Sequence, residues 1–391
     1  MQKIEHYFDY AATTPMLPEV ITAIQPYFSQ DFANPSSAHQ FGQRAFSAVE
    51  NARETLKQAL NLSADDSIIF TGSSTEACNM ILHHRVFSAW EQTGKACHVI
   101  TSPLEHSAVR EPLIAMQKWG WCELEFLPVN SCGQVSPDDV KERIRPDTAL
   151  VSVIYGNNEI GTINPIPEIN QICAERDVYF HSDATQFAAH HPLEKNRKFP
   201  LTFNIAAHKC YGPKGSGALI YRNVKNDSIT PLIYGGKQQN GLRSGTLDVP
   251  SIVGLASAFS VFHASHAKRL AHETAARDRI ISLVLDQIPD TQLTGHPTER
   301  LANHASFAFK NIDSLTLQAV LDQKGFAVSV GSACRSNAIR GQQQLIDLGL
   351  NADWASGGLR ITAGIYTTDD AIDELVSALT ESVAFLRRSG L

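Results

Sequence analysis

The chain has 391 residues, 43% of them hydrophobic and 19% charged, with a formal net charge of −7. This composition is typical of a globular protein large enough for two domains, or for one layered domain with a smaller satellite. The acidic balance argues against nucleic-acid binding, and no run of about 18 apolar residues indicates a membrane span. Because the first residues also lack the apolar stretch of a signal peptide, we expect a cytoplasmic protein.

Periodicity in the first half of the chain predicts an α/β fold. Residues 18–29 and 40–60 have apolar side chains at helical spacing. From about residue 66, short apolar runs alternate with helical stretches, which is typical of a mostly parallel sheet covered by helices on both faces. The predicted strands are 67–70, 97–100, 124–127, 149–154, 178–180 and 217–221.

The second part of the chain has a different pattern. A long helix is predicted over 247–287. After about residue 290, the predicted strands 305–309 and 327–330 are mixed with helices near 314–324 and 369–387. We therefore expect a smaller α+β domain to follow the sheet domain.

The cysteines favour a reducing compartment. There are seven, an odd number, and no two form a Cys-x-x-Cys pair, so we predict neither a disulfide framework nor a metal site. Six of them are expected to be small buried apolar side chains. The exception is Cys334, because Gly, Ser and Ala surround it in the run 328–336 and predict a loop in which a nucleophilic thiol can move.

Lys209 and Asp183 form the most informative pair in the sequence. Lys209 lies in the Gly-rich run 207–215, and Asp183 follows a predicted strand 26 residues earlier. A lysine amine captures the aldehyde of pyridoxal phosphate, and an acid beside the pyridine nitrogen keeps the cofactor ring an acceptor of electrons. The pair therefore predicts a pyridoxal phosphate site.

Further motifs occur in the order and at the spacing of one family. On these motifs and on Lys209, the chain resembles the cysteine desulfurases of the IscS/NifS type (group I) within the class V aminotransferase family. The resemblance spans nearly the whole chain. The motifs are residues 7–15, 34–39, 70–76, 105–109, 157–162, 243–246 and 359–362.

The resemblance implies a fold and an activity. The fold is the pyridoxal phosphate fold type I, with a large cofactor-binding domain over 16–264. A small domain combines 1–15 with 265–391 and carries the cysteine loop. The activity is the conversion of L-cysteine to L-alanine, with a persulfide formed on Cys334 and its sulfur passed to an acceptor protein. A homodimer with shared active sites is also implied.

The catalytic and substrate-binding residues of the family carry over to positions that match its motifs. By resemblance, Lys209 holds the cofactor and then acts as the base at the substrate α-carbon. Cys334 is the nucleophile, and His106 stacks on the cofactor ring and helps to move protons. Arg360 binds the substrate carboxylate, and Asn158 contacts both cofactor and substrate.

The remaining cofactor contacts fall on strand ends, on one helix start and on a loop. The turn at 70–76 predicts a helix N-terminus, where backbone N–H groups near Ser74 and the Thr75 hydroxyl bind the phosphate. The other contacts implied by the resemblance are Asp183 at the pyridine nitrogen, Gln186 at the phenolic oxygen, His208 at the phosphate, and Thr246 at the phosphate of the neighbouring subunit.

Several positions depart from the family or keep two interpretations. Ala206 stands where the family usually has a Ser, so one phosphate contact is expected to be missing. The usual Gly-Gly-Gly-x-Glu run is Gly-Gly-Lys-Gln-Gln at 235–239, and the run 335–344 is basic and rich in Gln. Arg243 fits a structural ion pair as well as a direct role. The acceptor pathway stays open among iron–sulfur assembly, tRNA thiolation and DNA sulfur modification.

Other functions share much of this pattern. A selenocysteine lyase or a class V transaminase would use most of the same site, but a transaminase has no use for Cys334 in a loop. A non-catalytic partner subunit could keep the fold without the chemistry. Its sign would be the absence of a cofactor absorbance band in the purified protein.

Overall fold

A computed structural model describes residues 3–193, 202–222, 229–330 and 342–389 of the chain. In these ranges the protein is a layered α/β structure with two sheets of seven and three strands. None of the helices in the same ranges has both the length and the apolar character needed to cross a bilayer.

The larger sheet has the strand order β1-β7-β6-β5-β4-β2-β3. Neighbouring strands from β6 to β3 are parallel, and β7 pairs antiparallel with both β6 and β1. The strands are β1 (Asp66–Thr71), β2 (Cys97–Thr101), β3 (Cys122–Phe126), β4 (Thr148–Ser152), β5 (Phe180–Asp183), β6 (Thr202–Ala206) and β7 (Gly217–Arg222).

Helices cover both faces of this sheet. Most of the connections between parallel strands contain a helix, as the crossover geometry requires. The helices of this region are α1 (Pro18–Ile24), α2 (Gln40–Ala59), α3 (Ser74–Thr93), α4 (Ser107–Lys118), α5 (Pro137–Arg143), α6 (Ile166–Glu175), α7 (Phe187–His190) and α8 (Val249–Ala264).

The smaller sheet has the order β10-β9-β8, with antiparallel pairing throughout. Its apolar face packs on helices α9 and α13, and Phe8 from the N-terminal segment joins the same core. The elements are α9 (His266–Gln287), β8 (Thr291–Leu293), β9 (His304–Phe309), α10 (Ser314–Gln323), α11 (342–347 of the described residues), α12 (Ala352–Ala355), β10 (Gly358–Thr362) and α13 (Asp369–Ser389).

The predicted α/β class is confirmed, with three corrections to its elements. The prediction of one long helix over 247–287 is wrong in one detail: the segment forms two helices, α8 and α9, because the chain leaves helical geometry at Ser265. Residues 327–330 are not a strand, since their backbone bonds first to His6 and Phe8 and then to Arg360. Strand β6 was not predicted, because Thr202 and Asn204 interrupt its apolar pattern. The domain boundaries at 16 and 264 stay a prediction.

Candidate active site

A cavity of about 520 Å³ opens where the strands of the larger sheet end. Ligands of open α/β sheets bind at this edge, outside the carboxyl ends of the strands. The cavity brings together eight of the side chains that the sequence predicts for the site, namely Ser74, Thr75, His106, Asn158, Asp183, Gln186, His208 and Lys209.

The floor of the cavity is a buried hydrogen-bond network. Asp183, at the end of β5, accepts at Oδ1 from Asn204 Nδ2 (2.7 Å) and from the backbone N–H of Thr185 (3.0 Å). Asn204 Oδ1 lies 2.9 Å from Nε2 of His181, whose Nδ1 lies 2.9 Å from the Ser152 hydroxyl. The carboxylate is therefore held at a fixed position by groups from three neighbouring strands.

The first turn of α3 forms one wall. Ser73 caps this helix by accepting from the backbone N–H of Glu76, and Ser73, Ser74 and Thr75 all line the cavity. The N–H groups of a first helical turn are those that intrahelical carbonyls do not use, so they bind anions readily. Arg243 forms an ion pair with Glu76 (2.7 Å), which in turn accepts from Gly72, so the structural interpretation of Arg243 describes its contacts.

Lys209 projects into the cavity from a short 3-10 turn that follows β6. Its Nζ donates to the backbone carbonyls of Ala11 (2.6 Å) and Ala12 (2.8 Å). Burial, and after it the positive charge of Arg360, lowers the pKa of Lys209 to about 8. A lysine with this pKa is a better nucleophile and base near neutral pH than an ordinary one.

The other lining groups have distinct environments. Burial and the neighbouring charges of Lys209 and Lys214 lower the pKa of His208 to about 4, so its ring is neutral and a ring nitrogen can contact the Thr13 hydroxyl 3.2 Å away. Gln186 is buried and donates to the carbonyl of Ala11 (2.8 Å). His106 is exposed and caps α4 by accepting from the Ala108 N–H at Nδ1 (3.1 Å).

Arg360 lies beside the cavity rather than in its lining. Its side chain, only 5% exposed, is held by Asp9 (2.9 Å) and Glu159 (3.1 Å), and its Nη1 also donates to the carbonyl of Asn158 (2.8 Å). Burial lowers the pKa of His304 far below its ordinary value, so its ring is neutral. Nε2 of this ring donates to the same carbonyl (3.0 Å). Arg360 instead borders a cleft of about 30 Å³ next to Glu159.

Two predicted residues are not brought to this cavity. Thr246 is exposed and is not among the residues that line the cavity of its own chain. Cys334 lies outside the described residues. The six described cysteines are free thiols, and five of them are buried as predicted. Burial raises the pKa of each of these five thiols. The pKa is about 11 for Cys97, about 12 for Cys122, Cys173 and Cys210, and well above the ordinary value for Cys78.

Sequence reasoning missed the residues that hold the predicted ones in place. Asn204 and Thr185 contact Asp183, while Asp9 and Glu159 contact Arg360. Asp9 and Glu159 lie inside the motifs 7–15 and 157–162, and Asn204 is a polar residue in an apolar stretch just before the lysine motif, but none of these local signals identifies the partner. Among the described residues, no group of three or more His, Cys, Asp or Glu is arranged to hold a metal ion.

The donor set fits pyridoxal phosphate. The lining contains a buried carboxylate, an amine with a lowered pKa and the first turn of a 20-residue helix. The backbone of Gly217 lies so close to Ser73 and Ser74 that a Cβ at this glycine would come within 2.7 Å of the Ser74 nitrogen. This contact fixes the helix start against the sheet, where a phosphate would be bound.

Comparisons with known proteins show which family the chain resembles. The family model described as Aminotransferase class-V matches residues 6–375. A cysteine desulfurase IscS from Dictyoglomus turgidum is 40% identical over 385 residues, which are 98% of this chain and 96% of that protein. A solved NifS-like protein has a TM-score of 0.88 and 31% identity, covering 99% of this chain and 100% of that one. A structure described as SspA in complex with cysteine has a TM-score of 0.79 and 30% identity, covering 93% and 99%.

The chain belongs to the class-V aminotransferase family. Within that family it is similar to cysteine desulfurases along nearly its whole length. The resemblance to the IscS/NifS type is therefore confirmed, and with it the fold class.

Proposed function

We propose that this protein is a pyridoxal phosphate-dependent cysteine desulfurase, which converts L-cysteine to L-alanine and passes the sulfur to an acceptor. The observation that carries this proposal is the Lys209 amine, which has a pKa lowered to about 8 and faces the same cavity as buried Asp183. The similarity to curated cysteine desulfurases over 98% of the chain supports the same activity.

The chain's own residues define where the cofactor would be held. When bound, pyridoxal phosphate supplies an aldehyde that captures amines and a ring that stabilises negative charge at the substrate α-carbon. Asp183 would face the ring nitrogen, and the first turn of α3 with His208 would bind the phosphate. Gln186 would contact the phenolic oxygen, and His106 would cover the ring.

Lys209 would move the proton at the substrate α-carbon. With a pKa of about 8, roughly one amine in ten is neutral at pH 7, far more than for an ordinary lysine. The two carbonyls of Ala11 and Ala12 accept from Nζ and hold the free amine in place beside the cavity. Lys209 is therefore suited both to hold the cofactor and to act as a base.

Arg360 and Asn158 would position the substrate carboxylate. A guanidinium binds a carboxylate through two parallel hydrogen bonds, but both Nη atoms of Arg360 already contact other groups, and these include Asp9 and Glu159. Two donors of the guanidinium stay available, namely Nε, which has no hydrogen-bond partner among the described residues, and the second proton of Nη2. The substrate carboxylate would bind these two donors beside the two acids, which favours amino acids whose carboxylate reaches Arg360 while their amine reaches Lys209.

Cys334 would take the sulfur. Its thiolate attacks the sulfur of the bound substrate, a bond between the two sulfur atoms forms, and the bond from substrate carbon to sulfur breaks. The electron pair of the broken bond stays with the carbon skeleton, which gains protons and leaves as alanine, so no outside oxidant or reductant is needed. Among the seven thiols, five are buried with raised pKa values and are poor nucleophiles.

We also propose a homodimer in the cytoplasm. Exposed Thr246 would reach the phosphate site of the second subunit, since it does not line its own. A second groove of about 450 Å³ adjoins the cavity, and Thr75 and Ala108 line both. The six described cysteines are free thiols, which is the usual state of thiols in a reducing compartment such as the cytoplasm. An acceptor protein would receive the sulfur.

The decisive experiment measures both products of the reaction. Purified protein loaded with pyridoxal phosphate and given L-cysteine should form alanine, and mass spectrometry after a brief pulse should find one extra sulfur on the Cys334 peptide. Cys334→Ala should keep the cofactor absorbance band and lose alanine formation. A protein without a cofactor band, or with Cys334→Ala fully active on L-cysteine, would contradict the proposal.

A further inference from the structure

Asn204 is a buried polar residue beside the cavity that has no role in the proposed chemistry. It lies on β6, is fully buried, and is not among the residues that line the cavity. Its Nδ2 lies within hydrogen-bond distance of three oxygens that do line it: Ser74 Oγ (2.5 Å), Asp183 Oδ1 (2.7 Å) and Thr185 Oγ1 (3.0 Å).

The orientation of the amide follows from its neighbours. Burial lowers the pKa of His181 to about 4, so its ring is neutral and carries one proton. Because a carbonyl oxygen only accepts, that proton is on Nε2, which donates to Asn204 Oδ1, and His181 Nδ1 accepts from Ser152. The NH₂ group of Asn204 must then face Asp183, since a carboxylate accepts hydrogen bonds and repels an amide oxygen.

A count of protons shows what this orientation does. One proton of the amide binds Asp183, and the other is shared by the hydroxyl oxygens of Ser74 and Thr185, which are 2.6 Å apart. One of these two hydroxyls donates to the other, which leaves one hydroxyl proton to donate into the cavity. A single side chain thus orients an acceptor at the ring-nitrogen position and a donor at the adjacent wall.

We propose that Asn204 is a positioning residue for the cofactor, which it holds through Asp183 at the ring nitrogen and through the Ser74–Thr185 hydroxyl pair at the phosphate; this inference rests on the proposed function. It also explains how the chain tolerates Ala206. Residues 204 and 206 lie on the same face of β6, and the methyl group of Ala206 lines the cavity without donating a hydrogen bond. Asn204 supports the phosphate wall through its contacts with Ser74 and Thr185.

The test uses three probes that separate the two contacts of the amide. Pyridoxal phosphate reports both contacts, pyridoxal without its phosphate reports the Asp183 contact, and inorganic phosphate reports the hydroxyl contact. Binding is measured by borohydride trapping on Lys209 for the two aldehydes, and by competition with loading for inorganic phosphate. No turnover is needed.

Asn204→Asp keeps the shape of the side chain but places an oxygen against Asp183. Since a hydrogen bond to a charged group is worth about tenfold to a hundredfold in an equilibrium constant, we expect losses of that size for all three probes. Ser74→Ala, which removes only a hydroxyl, should weaken phosphate and pyridoxal phosphate and leave pyridoxal unchanged. Asn303→Asp, at a buried Asn of the smaller domain that bonds to Ala363, is the matched control and should leave all three unchanged.

The outcomes are distinct. Unchanged binding of all three probes by Asn204→Asp, or a loss for only one of pyridoxal and phosphate, would overturn the inference. If Asn204→Asp does not fold, Asn204→Ala serves instead, because it removes both contacts without adding a charge. Failure of the unaltered protein to trap any aldehyde on Lys209 would instead count against the proposed function.

Discussion

Two buried arginines hold carboxylates in this protein, and their surroundings differ. Arg360 lies next to the cavity between Asp9 and Glu159, close enough to Lys209 to lower its pKa. Arg269 lies under the Lys209 turn and contacts Glu273 (3.2 Å), whose other oxygen contacts His190 (2.9 Å).

The difference is in what surrounds each guanidinium. The carbon atom of the Arg269 guanidinium is 3.9 Å from the centre of the Phe262 ring and 4.5 Å from that of Tyr211. Glu273 has no exposed surface, and both of its carboxylate oxygens have partners. Arg360, by contrast, has two acids for one positive charge, and these come from loops at the edge of the cavity. Of the two, we therefore propose only Arg360 as a binding group for the substrate carboxylate.

The largest effect on folding should follow from Glu273→Ala. Burial alone would raise the pKa of Glu273, but His190 and Arg269 outweigh it and hold the pKa below its ordinary value. Removing one partner of a buried pair costs about 3–5 kcal/mol, because the other charge is left without compensation. Denaturant titration of the loaded protein measures this loss.

The control is the exposed pair of Lys324 and Glu381, at 2.7 Å. Glu381→Ala should change the free energy of unfolding little, because solvent screens an exposed ion pair. Since the pKa of Glu273 is lowered, its contribution is present at neutral pH and disappears as the pH falls below the ordinary glutamate value of about 4.3. Equal losses of unfolding free energy in Glu273→Ala and Glu381→Ala would show that the buried group of Arg269, Glu273 and His190 stabilises the fold no more than a surface pair does.

A conservative exchange at each arginine separates binding from folding. Arg360→Lys keeps the charge but loses the planar group, so kcat/KM for L-cysteine should fall about tenfold to a hundredfold, mainly through KM. Arg269→Lys should lower the free energy of unfolding and leave KM unchanged. Steady-state alanine formation and urea unfolding of both variants measure this. The comparison breaks down if Arg269→Lys raises KM as much as Arg360→Lys.

The reactivity of Lys209 should report on Arg360 but not on Arg269. Modification of Lys209 by an amine-reactive reagent should reach half its maximal rate near pH 8 in the unloaded protein. Arg360→Gln removes a positive neighbour, so the protonated amine becomes less unfavourable and this midpoint should rise. Mass spectrometry of the Lys209 peptide over a pH series gives the midpoint. If the midpoint moves in Arg269→Gln and not in Arg360→Gln, the charge that lowers the pKa of Lys209 is that of Arg269.

The smallest expected effect is on KM, and here the substitution should improve substrate binding rather than weaken it. Asp9→Asn removes one of the two negative charges that contact Arg360 and oppose a substrate carboxylate there. Because Asp9 is partly exposed, the change should be worth about 0.5–1 kcal/mol, so KM for L-cysteine should fall roughly twofold to fivefold. A KM that rises would show that Asp9 orients Arg360 for the substrate rather than competing with it.

The sequence by itself determined the fold class and eight of the residues that line the cavity. The periodicity of apolar residues is local, so it predicted six of the seven strands of the larger sheet at nearly the observed positions. Lys209 and Asp183 were found because each lies in a short motif, and Gln186 was found by resemblance to the family. The structure brings all three to one cavity.

Only the tertiary structure decided which side chains hold these residues in place. Asn204 contacts Asp183 because β6 lies next to β5, and Glu273 contacts His190 across 83 positions of the chain. Arg360 lies outside the cavity lining because Asp9, 351 positions away, forms an ion pair with it. Such contacts depend on strand order and on the packing of distant segments, and neither leaves a periodic signal in the sequence.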